Sequence, residues 1–200
     1  MNEYHFLQLD RKEQSYYKKI IDAVTSGSSS VKPSPFIGSE QITKIATAVN
    51  YDHPELFYVD FRHLNFLGTP MGVIYQVNYT VRATIRSAVS EQVERKISES
   101  NLHGDYEKCR WLHNYLVRNT KYNYEALRRP DDYPDSFNAK GAILDGMAVC
   151  EGISKAFKLL CDRLGVDALI AFGTSSQENF GVDIPHALIV NTRMLMLLGI

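Results

Sequence analysis

Long apolar runs are missing from this chain of 200 residues, as is an excess of charge of one sign. No apolar run approaches the roughly 20 residues that a membrane-spanning helix needs, so we expect no membrane span. The amino-terminal Met1-Asn2-Glu3-Tyr4-His5 has no basic stretch followed by an apolar one, and no signal peptide is visible. The formal net charge of −1 gives no electrostatic reason to expect nucleic acid or an anionic membrane as partner.

Cysteine is also scarce. Cys109, Cys150 and Cys161 are too few and too widely spaced to predict a disulfide framework. The default interpretation of each is a small buried apolar side chain. Free thiols and the missing signal favour the cytoplasm, although a secreted or cell-surface protein stays open as an alternative.

The overall composition is typical of a soluble globular protein, with 44% hydrophobic and 22% charged residues. A polar, glycine-containing stretch from Ser98 to Gly104 predicts the division between two halves. We therefore predict an N-terminal accessory region over residues 1–100 and a second domain over residues 101–200.

The first half mixes helical and strand patterns. Asp10 and Glu13 have the spacing of a capping box, which predicts a helix over 11–25. Apolar and aromatic residues occupy every second position from Val73 to Val81, namely Val73, Tyr75, Val77, Tyr79 and Val81, which predicts a strand.

The second half has an α+β pattern. We predict a helix from a cap at Asp105 to Asn119, a long polar loop over 120–145, and a helix over 149–164. Two short apolar runs, 168–172 and 187–190, are predicted to be strands.

Cys150 is the one cysteine whose surroundings favour reactivity. It lies where the predicted loop enters the first turn of the helix, and unpaired N–H groups and the helix dipole stabilise a thiolate there. We expect Gly146 and Gly152 beside it to allow close approach of a substrate backbone.

His186 is the candidate general base. It precedes an apolar run, so we expect it at the start of a strand, from which an imidazole can reach a helix N-terminus on an adjacent element. Spacing alone leaves open that His186 is an ordinary solvent-facing histidine.

Residues 105–190 resemble the transglutaminase-like superfamily, which includes transglutaminases and cysteine proteases. The resemblance is carried by Trp111-Leu112-His113-Asn114-Tyr115-Leu116-Val117, by Tyr122-Asn123-Tyr124, by the block from Gly146 to Phe157, by Leu160 to Val166 and by His186-Ala187. The segment from Tyr51 to Asp60 is similar to an accessory region that precedes this domain in some bacterial members.

The resemblance implies a papain-like α+β core in which a nucleophile helix packs on an antiparallel sheet. It also implies thiol-dependent acyl transfer at peptide or protein amides without a cofactor, with Cys150 as nucleophile and His186 as base. The third member of the family's Cys–His–Asp triad is expected beyond Ile200, so the chain resembles a C-terminally truncated member, and Asp183 does not match that position. The backbone N–H of Cys150 is the natural oxyanion donor, with Tyr122 and Tyr124 as candidates for the second.

Other sites are less well supported by the sequence. Cys109 and His113 are four residues apart, but zinc would need two further ligands and only His103 is near, so we predict no metal site. Asp131, Asp132 and Asp135 lack the spacing of a calcium loop and are expected in a solvated loop. The alternative to an enzyme is a non-catalytic protein- or glycan-binding module with an incomplete triad.

Overall fold

The computed structural model describes residues 3–32, 37–68, 74–81, 86–98, 102–176, 183–191 and 194–196. Residues 68, 74–81, 86 and all those described from 172 onward are described by their backbone alone. The chain divides into two compact units, residues 3–86 and 87–200. The domain boundary that we place after residue 100 stays a prediction.

The first unit combines helices with a small antiparallel sheet. Its helices are α1 (Tyr4–Leu7), α2 (Arg11–Thr25) and α3 (Ser39–Asp52), and its strands are β1 (Ser30–Val31), β2 (Val59–Gly68) and β3 (Ile74–Val81). The strands are ordered β1-β3-β2, and α2 packs on α3. The core between them consists of large apolar side chains, namely Tyr16, Tyr17, Ile20, Val24, Ile42, Ile45 and Val49.

The predicted capping box begins α2. The Asp10 carboxylate accepts the backbone N–H of Glu13 at 2.9 Å, and Glu13 Oε2 accepts the N–H of Asp10 at 3.0 Å. Two of the N–H groups that a helix start leaves without partners are thereby satisfied. The helix ends at Thr25, as the pattern predicted.

The second unit contains four α-helices in the part of the chain that the structure describes. They are α4 (Arg86–Ser98), α5 (Asp105–Asn119), α6 (Tyr124–Arg128) and α7 (Cys150–Arg163). Strands β4 (Lys121–Tyr122) and β5 (Met147–Ala148) pair in parallel, whereas β6 (Ala168–Ser176), β7 (Asp183–Asn191) and β8 (Met194–Met196) form an antiparallel sheet in that order. Helix α7 packs on β6 and β7, so this is the α+β arrangement of a helix on an antiparallel sheet. None of the helices in the described ranges is long and apolar enough to cross a membrane.

Three expectations from the sequence are wrong in detail. Asp105 is not the cap of α5 but its first residue, because Gly104 makes the preceding turn with φ 82°. The stretch 120–145 is not a structureless loop: it contains β4, α6, two 3-10 turns (Pro130–Asp132 and Pro134–Phe137) and a π-helical turn (Gly141–Asp145). His186 does not begin a strand, because β7 already starts at Asp183 and includes Pro185.

Candidate active site

The first turn of α7 holds the Cys150 thiol. Cys150 is the first residue of the helix and is half-buried, and Val149 occupies the N-cap position in extended conformation. Val149 has no side chain that can cap the helix. The positive end of the helix dipole therefore acts on the thiol, as the sequence predicted.

The two-residue strands β4 and β5 bring Tyr122 to this thiol. Tyr122 lies opposite Ala148 in the parallel pair, and Ala148 precedes Cys150 by two residues. Its hydroxyl is within hydrogen-bonding range of both the Cys150 side chain and the Cys150 backbone N–H. Burial is the largest cause that raises the pKa of Tyr122, and the neighbouring Cys150 thiol is the second; the pKa reaches about 12. The phenol thus keeps its proton at neutral pH and can act as a donor.

The Tyr124 ring lies beside the ring of Tyr122. Its ring centroid is 4.8 Å from that of Tyr122, and 67% of Tyr124 is exposed. The structure therefore places the two tyrosines differently: Tyr122 contacts Cys150, whereas Tyr124 covers Tyr122 on the solvent side.

Asn123 lies between the two tyrosines in the sequence, and its structural role was not predicted. It is buried, and its N–H donates to the Ala148 carbonyl at 3.0 Å. Its side chain caps α6 by accepting the N–H of Ala126 at 3.1 Å, and it donates to Ser136 Oγ at 2.9 Å. The signal that could have found it is an asparagine directly before a short helical pattern.

The 3-10 turn Pro134–Phe137 packs directly on α7. The Ser136 carbonyl accepts the N–H of Val149 at 3.0 Å. One turn further, the buried Lys155 donates from Nζ to the Phe137 carbonyl at 3.0 Å and pairs with Glu151 Oε1 at 2.6 Å. These bonds join the segment that precedes α7 to α7 itself.

The roles expected for Gly146 and Gly152 are wrong, because protein backbone occupies the space beside both. A Cβ on Gly152 would lie 2.3 Å from the Ser136 carbonyl oxygen and 3.0 Å from that of Asn138. Gly146 has φ 64°, and a Cβ there would lie 3.0 Å from the Asn119 carbonyl oxygen. The two glycines permit close packing within the chain rather than approach of a substrate.

The acidic side chains of this segment line a small pocket. A pocket of about 210 Å³ is bounded by Asn123, Asp132, Tyr133, Pro134, Asp135, Ser136, Asp145 and Met147. Lys140 Nζ partly neutralises it, at 2.9 Å from Asp135 and 2.6 Å from Asp145. In the described part of the chain no three His, Cys, Asp or Glu side chains form a group that could hold a metal ion.

The other two cysteines lie away from the helix start. Cys109 on α5 and Cys161 on the last turns of α7 are both buried. The hydrogen bond that the Cys161 thiol donates to Cys109, followed by burial, raises the pKa of Cys161 well above its usual value. Cys161 therefore stays protonated at neutral pH, as expected of an unreactive thiol.

The structure describes only the backbone of His186. It lies within β7, opposite Gly173 of β6, and β7 packs on α7. Its side chain lies outside the described residues, so the pairing of its imidazole with Cys150 stays a prediction.

Comparison with known proteins agrees with this arrangement. The family profile of the transglutaminase-like superfamily matches residues 91–190. The chain belongs to the transglutaminase-like superfamily. The matched stretch includes α7, Cys150 and the two tyrosines, together with the backbone position of His186. Members of this superfamily generally carry out cysteine-based acyl transfer or proteolysis.

A search of curated proteins finds none that matches the chain. Among solved structures, the crystal structure of a TGase is similar, with 13% identity and a TM-score of 0.33 over 83% of this chain. The match covers 48% of the TGase chain, so the present chain spans about half its length.

Gly152→Ala should strongly destabilise this transglutaminase-like unit. The added Cβ would lie 2.3 Å from the Ser136 carbonyl oxygen. Because that oxygen belongs to the backbone, movement of a flexible side chain cannot relieve the collision. We expect a loss of about 3 kcal/mol in the free energy of unfolding, the upper part of the range for overpacking. Urea denaturation measures this loss.

Gly38→Ala is the matched control, because a Cβ at Gly38 meets nothing within 4 Å and its φ of −81° suits alanine. We expect a loss of no more than about 1 kcal/mol there, because Gly38 is the N-cap of α3 and glycine is preferred to alanine at that position. Equal effects of the two substitutions would contradict the packing described for Gly152.

Proposed function

We propose that this protein catalyses thiol-dependent acyl transfer at peptide or protein amides, as a protease or amidase or as a transglutaminase. Cys150 is the nucleophile and His186 the general base. The observation that carries the proposal is the position of Cys150: its thiol lies at the start of α7, half-exposed, with the Tyr122 hydroxyl against it. Neither of the other cysteines has both access and a charge-stabilising environment.

The proposed steps are carried by two side chains, those of Cys150 and His186. The His186 imidazole takes the thiol proton, and the Cys150 sulfur attacks the amide carbonyl carbon to give a tetrahedral oxyanion. As the C–N bond breaks, the imidazolium returns the proton to the leaving amine, and a thioester on Cys150 remains. Water then releases an acid, or a second amine forms a new amide; either step regenerates the thiol.

The support for His186 comes from topology and family membership together. Its strand packs on the nucleophile helix, and the superfamily profile covers both residues. A base on a strand that packs against the helix of Cys150 can come within the hydrogen-bonding reach that proton transfer from the thiol requires.

The support for Tyr122 as oxyanion donor comes from its contacts. The oxyanion of a thiol attack lies close to the sulfur and to the N–H of the nucleophile residue. The Tyr122 hydroxyl lies within reach of both, which is the neighbourhood in which the substrate oxygen would form. Its raised pKa keeps the proton on the phenol for donation to that oxygen. The Tyr124 ring lies against that of Tyr122 and serves as its support.

Cys150→Ala is expected to abolish acyl transfer and hydrolysis alike, because both pass through the same thioester. Transfer is measured by incorporation of a dansylated primary amine into dimethylcasein, and hydrolysis by the appearance of new amino termini from casein. Iodoacetamide should inactivate the wild type with a single adduct, at Cys150.

Cys109→Ala is the matched control and should retain activity while the fold is intact. Turnover that survives Cys150→Ala would contradict the proposal. So would an iodoacetamide adduct at Cys109 or Cys161 in protein whose Cys150 is unmodified.

Tyr122→Phe is expected to lower kcat about 100-fold with little change in KM. Removing one oxyanion donor costs turnover on this scale because the bond forms only in the transition state. Tyr124→Phe keeps the supporting ring and loses only an exposed hydroxyl, so its kcat should stay within about twofold. An increase of kcat in Tyr122→Phe would show instead that this hydroxyl blocks the thiol.

A further inference from the structure

The two cysteines that the proposed mechanism does not use lie against each other. Cys109 is 1% exposed and Cys161 is fully buried, and their side chains are within hydrogen-bonding range. They come from different helices, α5 and α7, which pack together. Their separation along the chain gives no hint of this contact.

The contact is held in register by neighbouring residues. Lys108, next to Cys109, donates from Nζ to the Leu164 carbonyl at 2.8 Å, three residues after Cys161. Leu112 and Leu116 follow Cys109 on the buried face of α5. The beginning of α5 is therefore tied to the end of α7 at the level of the two thiols.

We propose that Cys109 and Cys161 are a disulfide site that joins α5 to α7 when the protein meets an oxidising thiol–disulfide environment. The co-reactant is a low-molecular-weight disulfide such as oxidised glutathione. This inference is independent of the proposed function, because neither cysteine takes part in the acyl-transfer chemistry.

The exchange proceeds in two balanced steps. One cysteine thiolate attacks a sulfur of the small disulfide, forms a mixed disulfide with the chain and releases one small thiol. The second cysteine thiolate then attacks the protein sulfur of the mixed disulfide, closes the Cys109–Cys161 bond and releases the other small thiol. The two protons of the cysteines end on the two small thiols.

Burial determines when these steps occur. Both thiols are inaccessible in the folded unit, and the pKa of Cys161 is raised, so a thiolate is scarce there. Exchange therefore takes place during folding, or on local opening of the α5–α7 contact. The native packing then holds the two sulfurs together and favours the closed form.

The cross-link would protect the reactive thiol. It encloses the stretch between residues 109 and 161, which includes Tyr122, Ser136 and Cys150. With Cys109 and Cys161 joined, neither of the other two cysteines of this sequence can form a disulfide with Cys150. A nucleophilic thiol in an oxidising environment is thereby kept from intramolecular disulfide formation.

The experiment uses the full chain as Cys150→Ala, which has only the two cysteines in question, beside the wild type. Each is unfolded and refolded in glutathione redox buffer, then denatured, alkylated and weighed by mass spectrometry. We expect no alkylated thiol in Cys150→Ala, a Cys150 in the wild type that carries either the alkyl group or one glutathione, and in both a cross-linked peptide that joins Cys109 to Cys161. The Tm should rise by about 5–10 °C relative to protein refolded under reducing conditions.

Cys109→Ser and Cys161→Ser, each in the Cys150→Ala background, are the controls and should show no rise in Tm under the same treatment. The inference is overturned if both thiols of Cys150→Ala are alkylated after oxidative refolding. A cross-link from Cys150 in the wild type, or a disulfide that lowers the Tm, overturns it as well. Because the test is done without Cys150, its failure would leave the proposed enzyme activity untouched.

Discussion

The contact between the Ser136 carbonyl and the first turn of α7 determines where the Cys150 thiol lies. That carbonyl accepts the N–H of Val149 and fills the space beside Gly152, where any side chain would collide with it. Ser136 Oγ in turn accepts from Asn123, which follows Tyr122 directly. Ser136 thus connects the helix that carries Cys150 to the short strand that carries Tyr122.

Helix α7 is unusual in how completely it is buried. All residues from Gly152 to Cys161 are buried, including Lys155 and Lys158. Each lysine has an acidic partner four residues away: Glu151 with Lys155, and Asp162 with Lys158 at 2.9 Å. Since an unpaired buried charge is strongly destabilising, these pairs allow a helix with a polar stripe to lie inside the unit.

Elements with long, regular patterns could be predicted from the sequence. The capping box of α2, the alternation of β3 and the apolar face of α7 each identify their element within a few residues. The family resemblance is confirmed by the superfamily profile over residues 91–190. Cys150 at a helix start could be predicted because loop and helix signals meet there.

The parts that escaped prediction depend on contacts between distant residues. Strands β4 and β5 have two residues each, so their pairing has no periodicity to detect. Gly152 was interpreted as open to a substrate because the sequence does not reveal the Ser136 carbonyl beside it. The contact of Cys109 with Cys161 likewise needs the packing of α5 on α7. Tyr122 was a candidate by motif, and its contact with the thiol comes from the structure alone.

The central claim is that the Cys150 thiol is activated by His186, and the pH dependence of its alkylation tests this most directly. The rate of iodoacetamide reaction at Cys150 is measured from pH 5 to 9 in the wild type, in His186→Gln and in the control His113→Gln. If the imidazole holds the thiol proton, the wild type and the control react at pH 6 at least about tenfold faster than His186→Gln, and the difference narrows toward pH 9. Identical profiles for wild type and His186→Gln would contradict the account.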